Sequence, residues 1–235
     1  EELNETRQAL RPLLSPHDPA DALAGYYALW HDPRRTRLTI SHGAHRRADG
    51  FVAVCQTGAD LFRPMVTLRA PDADTAGRLL REALAPGRAY HVMVPVTLAS
   101  AVREHLEVEE PRLLRIYRLD PGRFQPVINV LVQQVRGADG APRFQIESGG
   151  QVIAISGTNW RSPTFAEVFC HVEPSGRHRG WGRSVAAACT SALLEERLRP
   201  LYLVEEGNDP SVRLAEELGY VDTGIREFTA VGHLR

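Results

Sequence analysis

A glycine loop between an apolar segment and an amphipathic segment constrains this chain more than any other feature. The loop, Arg-His-Arg-Gly-Trp-Gly at residues 177–182, follows the apolar segment Phe165–Val172 and precedes a helix-like run at residues 183–198. Glycines let the backbone turn tightly, so that successive N–H groups face one anion. The start of a helix adds unpaired N–H groups and the positive end of its dipole. This order of elements predicts a pyrophosphate site.

Two familiar pyrophosphate loops fit the sequence poorly. The Walker loop needs a lysine after its last glycine, and the chain contains no lysine, which excludes that class. The dinucleotide fingerprint needs a third small residue, and the chain has Val185 there.

The loop resembles instead the Arg/Gln-x-x-Gly-x-Gly/Ala loop of the GCN5-related N-acetyltransferases. Three further elements stand in the family's order: Val-x-Pro at residues 172–174, Asn-x-x-Ser at residues 208–211 and Leu-Gly-Tyr at residues 218–220. The segment Phe-Ala-Glu-Val at residues 165–168 is similar to a strand of the histone-acetylating branch. The resemblance covers roughly residues 144–229, and it implies an α/β fold with a mixed, mostly antiparallel sheet flanked by helices.

The resemblance also implies acetyl-CoA as co-substrate and the residues that would bind it. Backbone groups of the strand before the loop would bond the pantetheine arm, and loop N–H groups and arginines would hold the pyrophosphate. Asn208 and Ser211, at the start of the second helix after the loop, lie where family members contact the cofactor, although simple helix capping explains these two residues too. The predicted cofactor-binding residues are Cys170, His171, Val172, Arg177, His178, Arg179, Gly180, Trp181, Gly182, Arg183, Asn208 and Ser211.

Glu167 is the predicted general base. Strand alternation puts it on one face with Phe165, Phe169 and His171. A carboxyl group among apolar neighbours has a raised pKa, which suits proton abstraction from an amine near neutral pH. His171 is an alternative base, and a salt bridge to Arg161 is a purely structural alternative for Glu167.

The general acid is not evident, because the position where relatives carry a tyrosine is Ala215. Tyr202 is one substitute, and departure of an unassisted thiolate toward a helix start is another. Trp160, in a segment at residues 157–162 that we expect to be a loop, is either a lid over the acceptor or an interface residue. Metal binding by the pair His42 and His45 is disfavoured because a third ligand is missing.

Two parts of the chain share an order of elements. Residues 66–71 align with 169–174 at an offset of 103, residues 90–95 with 201–206 at 111, and residues 98–106 with 211–219 at 113. The offset jumps where the glycine loop lies, so the first half resembles a second copy without a phosphate loop; chance α/β alternation is the alternative. We therefore expect a tandem acyl-CoA N-acyltransferase fold, with a degenerate domain at residues 1–123 and an acetyl-CoA-binding domain at residues 124–235 that opens with a strand at 127–132.

Composition limits the partners. The net charge of −1 offers no broad attraction to nucleic acid or to anionic membranes, and no apolar run approaches the ~20 residues of a membrane span. The three cysteines are scattered and give no disulfide framework, which is typical of a reducing compartment. We expect a cytoplasmic protein without a metal, and a homodimer is left open.

These observations favour transfer of an acetyl group from acetyl-CoA to a primary amine of a small molecule. Two alternatives stay open. A module that binds acyl-CoA without turnover is consistent with Ala215, and an acetyltransferase of proteins or peptides would use the same cofactor site.

Overall fold

The computed structural model describes residues 2–58 and 60–235, which fold into six α-helices and eleven strands. The helices are α1 Glu2–Leu10, α2 Pro19–Gly25, α3 Ala73–Ala83, α4 Ala99–His105, α5 Trp181–Glu195 and α6 Asp209–Glu217. The strands are β1 Thr36–His42, β2 Ala48–Cys55, β3 Met65–Arg69, β4 Ala89–Pro95, β5 Leu106–Leu119, β6 Gln133–Arg136, β7 Pro142–Ser148, β8 Gln151–Arg161, β9 Phe165–Val172, β10 Arg199–Glu205 and β11 Tyr220–Leu234. No helix in the described part of the chain has the length and hydropathy to cross a lipid bilayer. The fold is mixed α/β, and most strand pairs are antiparallel.

The chain forms two compact units. One contains the chain up to Leu114 together with Arg226–Arg235, and the other contains Arg115–Ile225. The residues of β5 and β11 are therefore divided between the units. The predicted domain division at residues 123 and 124 stays a prediction.

In the first unit the strand order is β1-β2-β3-β4-β11. The pairs β1/β2, β2/β3 and β4/β11 are antiparallel, whereas β3 and β4 are parallel and joined by α3. The core lies between this sheet and helices α3 and α4, and it includes Val66, Leu68, Leu79, Leu80, Val92, Val102 and Phe228. The long apolar stripe of α3 explains why the helix lies flat on the sheet.

In the second unit the strand order is β5-β10-β9-β8-β7-β6. Strands β6 to β9 pair antiparallel, whereas β9 and β10 are parallel and joined by α5. Val185, Cys189 and Leu193 of α5 are all buried, as their spacing of four residues predicts. They face a core that includes Phe144, Ile146, Val168, Tyr202 and Tyr220.

The two units repeat one arrangement. In each, an antiparallel strand pair leads into a helix, a parallel strand and a shorter helix: β2-β3-α3-β4-α4 in the first unit and β8-β9-α5-β10-α6 in the second. The residue offsets aligned three of these pairs: β3 with β9, β4 with β10 and α4 with α6. The β9/β10 ladder runs from the pair Phe165 and Arg199 to the pair Val168 and Tyr202, so in the described ladder the last residues of β9 extend beyond their pairing with β10.

The predicted strand at residues 127–132 is wrong. The segment is rich in β-branched residues, but Asn129 forms a turn in which its side chain accepts from the Leu131 N–H and its carbonyl accepts from the Val132 N–H, both at 3.0 Å. Ile128 and Val130 are 95% and 94% exposed. The strand forms instead at Gln133–Arg136, where it pairs with β7.

The predicted loop at residues 157–162 is also wrong, because β8 continues through Arg161 and pairs with β9 along that length. Strand β1 was not predicted. Its residues Thr36–His42 pair with β2, but most are only partly buried, so the segment lacks the apolar run that would have identified it.

One carboxyl group is buried in the first unit. Glu227 of β11 lies opposite Pro95 of β4, is 1% exposed, and its Oε2 has no hydrogen-bond partner. Burial raises the pKa of Glu227 from its ordinary value of 4.5 to about 7, against the opposing charge of Arg69. The pKa of Glu227 is higher in the folded protein than in the unfolded chain. Its contribution to the free energy of unfolding is therefore complete below the unfolded pKa of 4.5 and is lost as the pH rises through about 7.

We predict that Glu227→Gln flattens the pH dependence of stability. Relative to wild type, the variant should gain on the order of 2 kcal/mol of unfolding free energy between pH 5 and pH 8, because glutamine does not ionise. Urea denaturation at several pH values measures this difference. Glu82→Gln, at an exposed position of α3, is the matched control and should follow wild type; an equal change in both variants would contradict the assignment.

Candidate functional site

The glycine loop links β9 to α5 through backbone conformations that favour glycine. Gly180, the residue before the helix, has φ +72° and nothing within 4 Å of a Cβ built on it. At Gly182 a Cβ would lie 2.9 Å from Val172 Cγ2, closer than real Cβ atoms approach. The first glycine therefore sets the turn, and the second lets the helix start lie against the end of β9.

The start of α5 has no side-chain cap, because Gly180 occupies the capping position. The first N–H groups of a helix have no partner within the helix, so this end offers N–H donors and a positive dipole to a ligand. Helix α3, at the equivalent place in the first unit, is different. Asp72 caps it by accepting from the Thr75 N–H at 2.7 Å, so a carboxylate already lies where an anion would bind.

A cavity of about 610 Å³ opens over the loop. It is lined by all the predicted cofactor-binding residues except Arg179, namely Cys170, His171, Val172, Arg177, His178, Gly180, Trp181, Gly182, Arg183, Asn208 and Ser211. Arg179 lies outside it, with its guanidinium carbon 4.9 Å from the centre of the Trp181 ring. The structure thus brings the strand end, the loop and the start of α6 together around one space.

One residue of the cavity wall has a buried donor without a hydrogen-bond partner. The Nε atom of Arg183 is buried and makes no hydrogen bond, although Arg183 lines the cavity. A buried unpaired donor is costly unless a ligand satisfies it. Together with Arg177 and the helix start, it makes this part of the wall suited to a phosphate group.

Helix α6 supplies cavity residues that sequence reasoning missed: Pro210, Arg213, Leu214 and Glu217. Helical spacing from Ser211 would have found Leu214, three residues later. Asn208 caps this helix, since its side chain accepts from the Ser211 N–H at 3.2 Å. Capping and a cavity position are therefore compatible at Asn208.

Glu167 lies outside that cavity wall and is held by two N–H donors. Asn159 Nδ2 donates to its Oε1 at 2.7 Å and Trp160 Nε1 donates to its Oε2 at 2.5 Å. Burial raises the pKa of Glu167, and the two hydrogen bonds oppose that shift. Arg161, the alternative partner, pairs with Glu196 instead. The indole of Trp160 is 3% exposed, so it is a buried strand residue rather than a lid.

The other candidate groups are less suited to proton abstraction or covalent attack. His171 is exposed and its Nε2 lies 3.1 Å from Glu173 Oε1. Burial raises the pKa of the Cys170 thiol to about 12, which leaves little thiolate near neutral pH. Among residues 2–58 and 60–235, no three His, Cys, Asp or Glu side chains are grouped as metal ligands.

Tyr202 of β10 is a proton donor placed at the cavity. It lines the cavity and is 4% exposed. Burial raises its pKa above the ordinary value, and a hydrogen bond from the Ser211 side chain opposes this shift. The phenol is therefore protonated near neutral pH. Ala215 is fully buried in α6 and offers no hydroxyl there.

The structure is similar to solved proteins of known fold. A Drosophila protein matches with a TM-score of 0.71 and 15% identity over 98% of this chain and 95% of its own. A tandem GNAT protein from the clavulanic acid biosynthesis pathway matches with a TM-score of 0.59 and 13% identity over 99% and 94%. A putative GNAT-family acetyltransferase from Novosphingobium aromaticivorans gives 0.63 and 16% over 78% and 89%. The whole-chain match to a tandem protein agrees with the repeated arrangement.

Sequence comparison gives the family directly. No curated protein matches this chain. The family model described as Acetyltransferase (GNAT) family matches residues 105–220, a range that contains Glu167, the glycine loop and the start of α6. The chain therefore contains a domain of the GNAT acetyltransferase family at residues 105–220.

Proposed function

We propose that this protein transfers an acetyl group from acetyl-CoA to a primary amine of a small molecule. The observation that carries the proposal is the uncapped start of α5, with Gly180 at φ +72° and the unpaired Nε of Arg183 beside it in one cavity. A diphosphate supplies the acceptor oxygens that these donors lack. Family membership of residues 105–220 supports the same reaction class.

Two parts of the cavity wall would contact two different parts of coenzyme A. The end of β9, at Cys170 to Val172, extends beyond the β9/β10 ladder, so its backbone N–H and C=O groups are available to the amide groups of a pantetheine arm. The N–H groups at the start of α5 and the arginines Arg177 and Arg183 would hold the diphosphate.

Glu167 acts as general base in this proposal. An alkylammonium near pKa ~10 must lose a proton before its nitrogen attacks the thioester carbonyl carbon. Each carboxylate oxygen keeps a further lone pair after it accepts one hydrogen bond, so Glu167 accepts this proton directly or through water. Burial raises the pKa of Glu167 above its ordinary value, which makes the carboxylate a stronger base than a solvated one.

Tyr202 acts as general acid. When the tetrahedral intermediate collapses, the carbon–sulfur bond breaks and the thiolate of coenzyme A leaves. The Tyr202 hydroxyl is protonated near neutral pH and lies at the cavity, so it gives its proton to that sulfur as the bond breaks. The tyrosinate then regains a proton from the nitrogen of the collapsing intermediate, directly or through water.

A primary amine of a small molecule is the proposed acceptor. The net charge of −1 offers no broad electrostatic attraction to nucleic acid. An acetyl-CoA titration followed by an amine screen tests the proposal: release of free thiol with an amine supports it, whereas binding without turnover would assign the protein to acyl-CoA sensing.

We predict that Gly180→Ala weakens acetyl-CoA binding about 10-fold, because its Cβ enters the space that a phosphate needs next to the backbone. Gly150→Ala is the matched control: Gly150 lies in the β7–β8 turn with φ +76° and also has nothing within 4 Å of its Cβ. Both variants should lose about 1 kcal/mol of stability from the strained backbone. Calorimetric titration that finds equal affinities would contradict the predicted phosphate site.

We predict that Glu167→Gln lowers the turnover number 10²-fold or more and removes the rise of the rate with pH, since glutamine accepts no proton. The affinity for acetyl-CoA should stay within about 2-fold, because Glu167 does not line the coenzyme cavity. Rates measured from pH 5 to 9, with a parallel binding titration, separate the two effects. Equal loss of rate and affinity would remove Glu167 as the base.

We predict that Tyr202→Phe lowers the turnover number about 10²-fold and leaves acetyl-CoA affinity nearly unchanged, because only the transferable proton is lost. Tyr220→Phe is the matched control, since Tyr220 is buried, bonds to Thr190 at 2.8 Å and does not line the cavity. It should affect stability and not turnover. Similar rates for wild type and Tyr202→Phe would leave the thiolate to depart unassisted.

A further inference from the structure

The strand beside Glu167 contains a β-bulge. In the antiparallel pair β8/β9, Thr158 lies opposite Val168 and Trp160 lies opposite Glu167, so Asn159 is an extra residue without a partner in the ladder. Neighbouring side chains of a regular strand point to opposite faces. A bulge sets two residues against one and re-aims a side chain. Here it allows Asn159 and Trp160 to contact the same carboxyl group.

The two contacts use both oxygens of Glu167. The Asn159 amide nitrogen reaches Oε1 and the Trp160 indole nitrogen reaches Oε2, at 2.7 and 2.5 Å. An indole nitrogen only donates, and the NH₂ end of an amide only donates. Neither group stabilises a proton on the oxygen that it faces. The pair therefore favours the ionised carboxylate and fixes the plane of the carboxyl group.

We propose that Asn159 and Trp160 are positioning residues that hold Glu167 ionised and aimed for proton abstraction, and that the bulge exists to deliver both donors. The proposal rests on the proposed role of Glu167 as base. Without the donors, burial alone would favour the neutral acid, which cannot accept a proton from the amine.

The other ionisable groups near Glu167 are paired elsewhere or are neutral, so the two donors are the groups that favour its ionised form. On β8, Arg161 is held by Glu196 of α5. On β9, His171 pairs with Glu173 beyond the strand end. On β10, Tyr202 is a neutral phenol near neutral pH. The pKa of Glu167 is shifted by burial, by Asn159 and by Trp160, so removal of either donor should raise it further.

Two substitutions each remove one donor. Trp160→Phe keeps an aromatic ring and deletes the indole N–H, and Asn159→Ala deletes the amide. Each should raise the pKa of the Glu167 carboxyl by about one unit, since each deleted hydrogen bond stabilises the charged form of the carboxyl group. The pKa is measured by ¹³C NMR of protein labelled at glutamate, with Glu167→Gln to assign the signal.

The rate profile gives a second measurement. In each variant the acidic limb should shift to higher pH by the same amount as the carboxyl titration, so that the rate falls on that limb and approaches that of wild type on the plateau at higher pH. A merely structural role would lower the rate equally at every pH. The NMR titration needs no turnover, so it tests the effect of the two donors on the Glu167 carboxyl group separately from the proposed function.

Matched controls separate the site from general effects. Gln145→Ala deletes an amide that donates to Glu147 at 2.7 Å on β7, and Trp30→Phe changes a tryptophan that is 45% exposed in the first unit. Neither should move the Glu167 titration. If Trp160→Phe fails to fold, Asn159→Ala alone tests the proposal. An unchanged Glu167 pKa in a folded donor variant would overturn it.

Discussion

The structure of the candidate site depends on one uncapped helix end. Because Gly180 has no side chain, no side-chain oxygen caps the start of α5, and the first N–H groups of the helix, which have no partner within it, are left for a ligand. Gly182 then lets this end lie against Val172 at the end of β9. Substitution of either glycine would displace the N–H donors at the start of α5 from the cavity, and the arginines that line the cavity would no longer lie beside those donors.

The first unit has the same arrangement of elements, but the start of its helix α3 is capped. Its strand β3 leads directly into α3, and Asp72 satisfies the Thr75 N–H at the helix start. A carboxylate at this position stabilises the helix and repels a phosphate. Stability of the helix and binding of an anion thus compete for the same N–H groups, and the two units resolve the competition in opposite ways.

Local patterns made much of this predictable. The glycine loop, the four-residue spacing on α5 and the alternation on β9 depend on neighbours in sequence, so residues 165–198 revealed their strand, loop and helix without any tertiary information. The contacts of Glu167 depend on register. Nothing in the sequence marks Asn159 as the extra residue of a bulge, because the ladder position of Trp160 is set by pairing with β9. The prediction of a strand at residues 127–132 was wrong for the same reason, because Gln133–Arg136, and not that β-branched run, pairs with β7.

The division of β11 between the units has a consequence for biosynthesis. Arg226–Arg235 belongs to the first compact unit, where it pairs with β4, yet it is synthesised only after the whole of the second unit, Arg115–Ile225. Until it emerges, β4 has an open hydrogen-bonding edge and the apolar side chain of Phe228 is missing from the core. The first unit therefore stays incomplete until the second unit has been synthesised, and a chain that stops within Arg115–Ile225 lacks a strand of the unit that was made first.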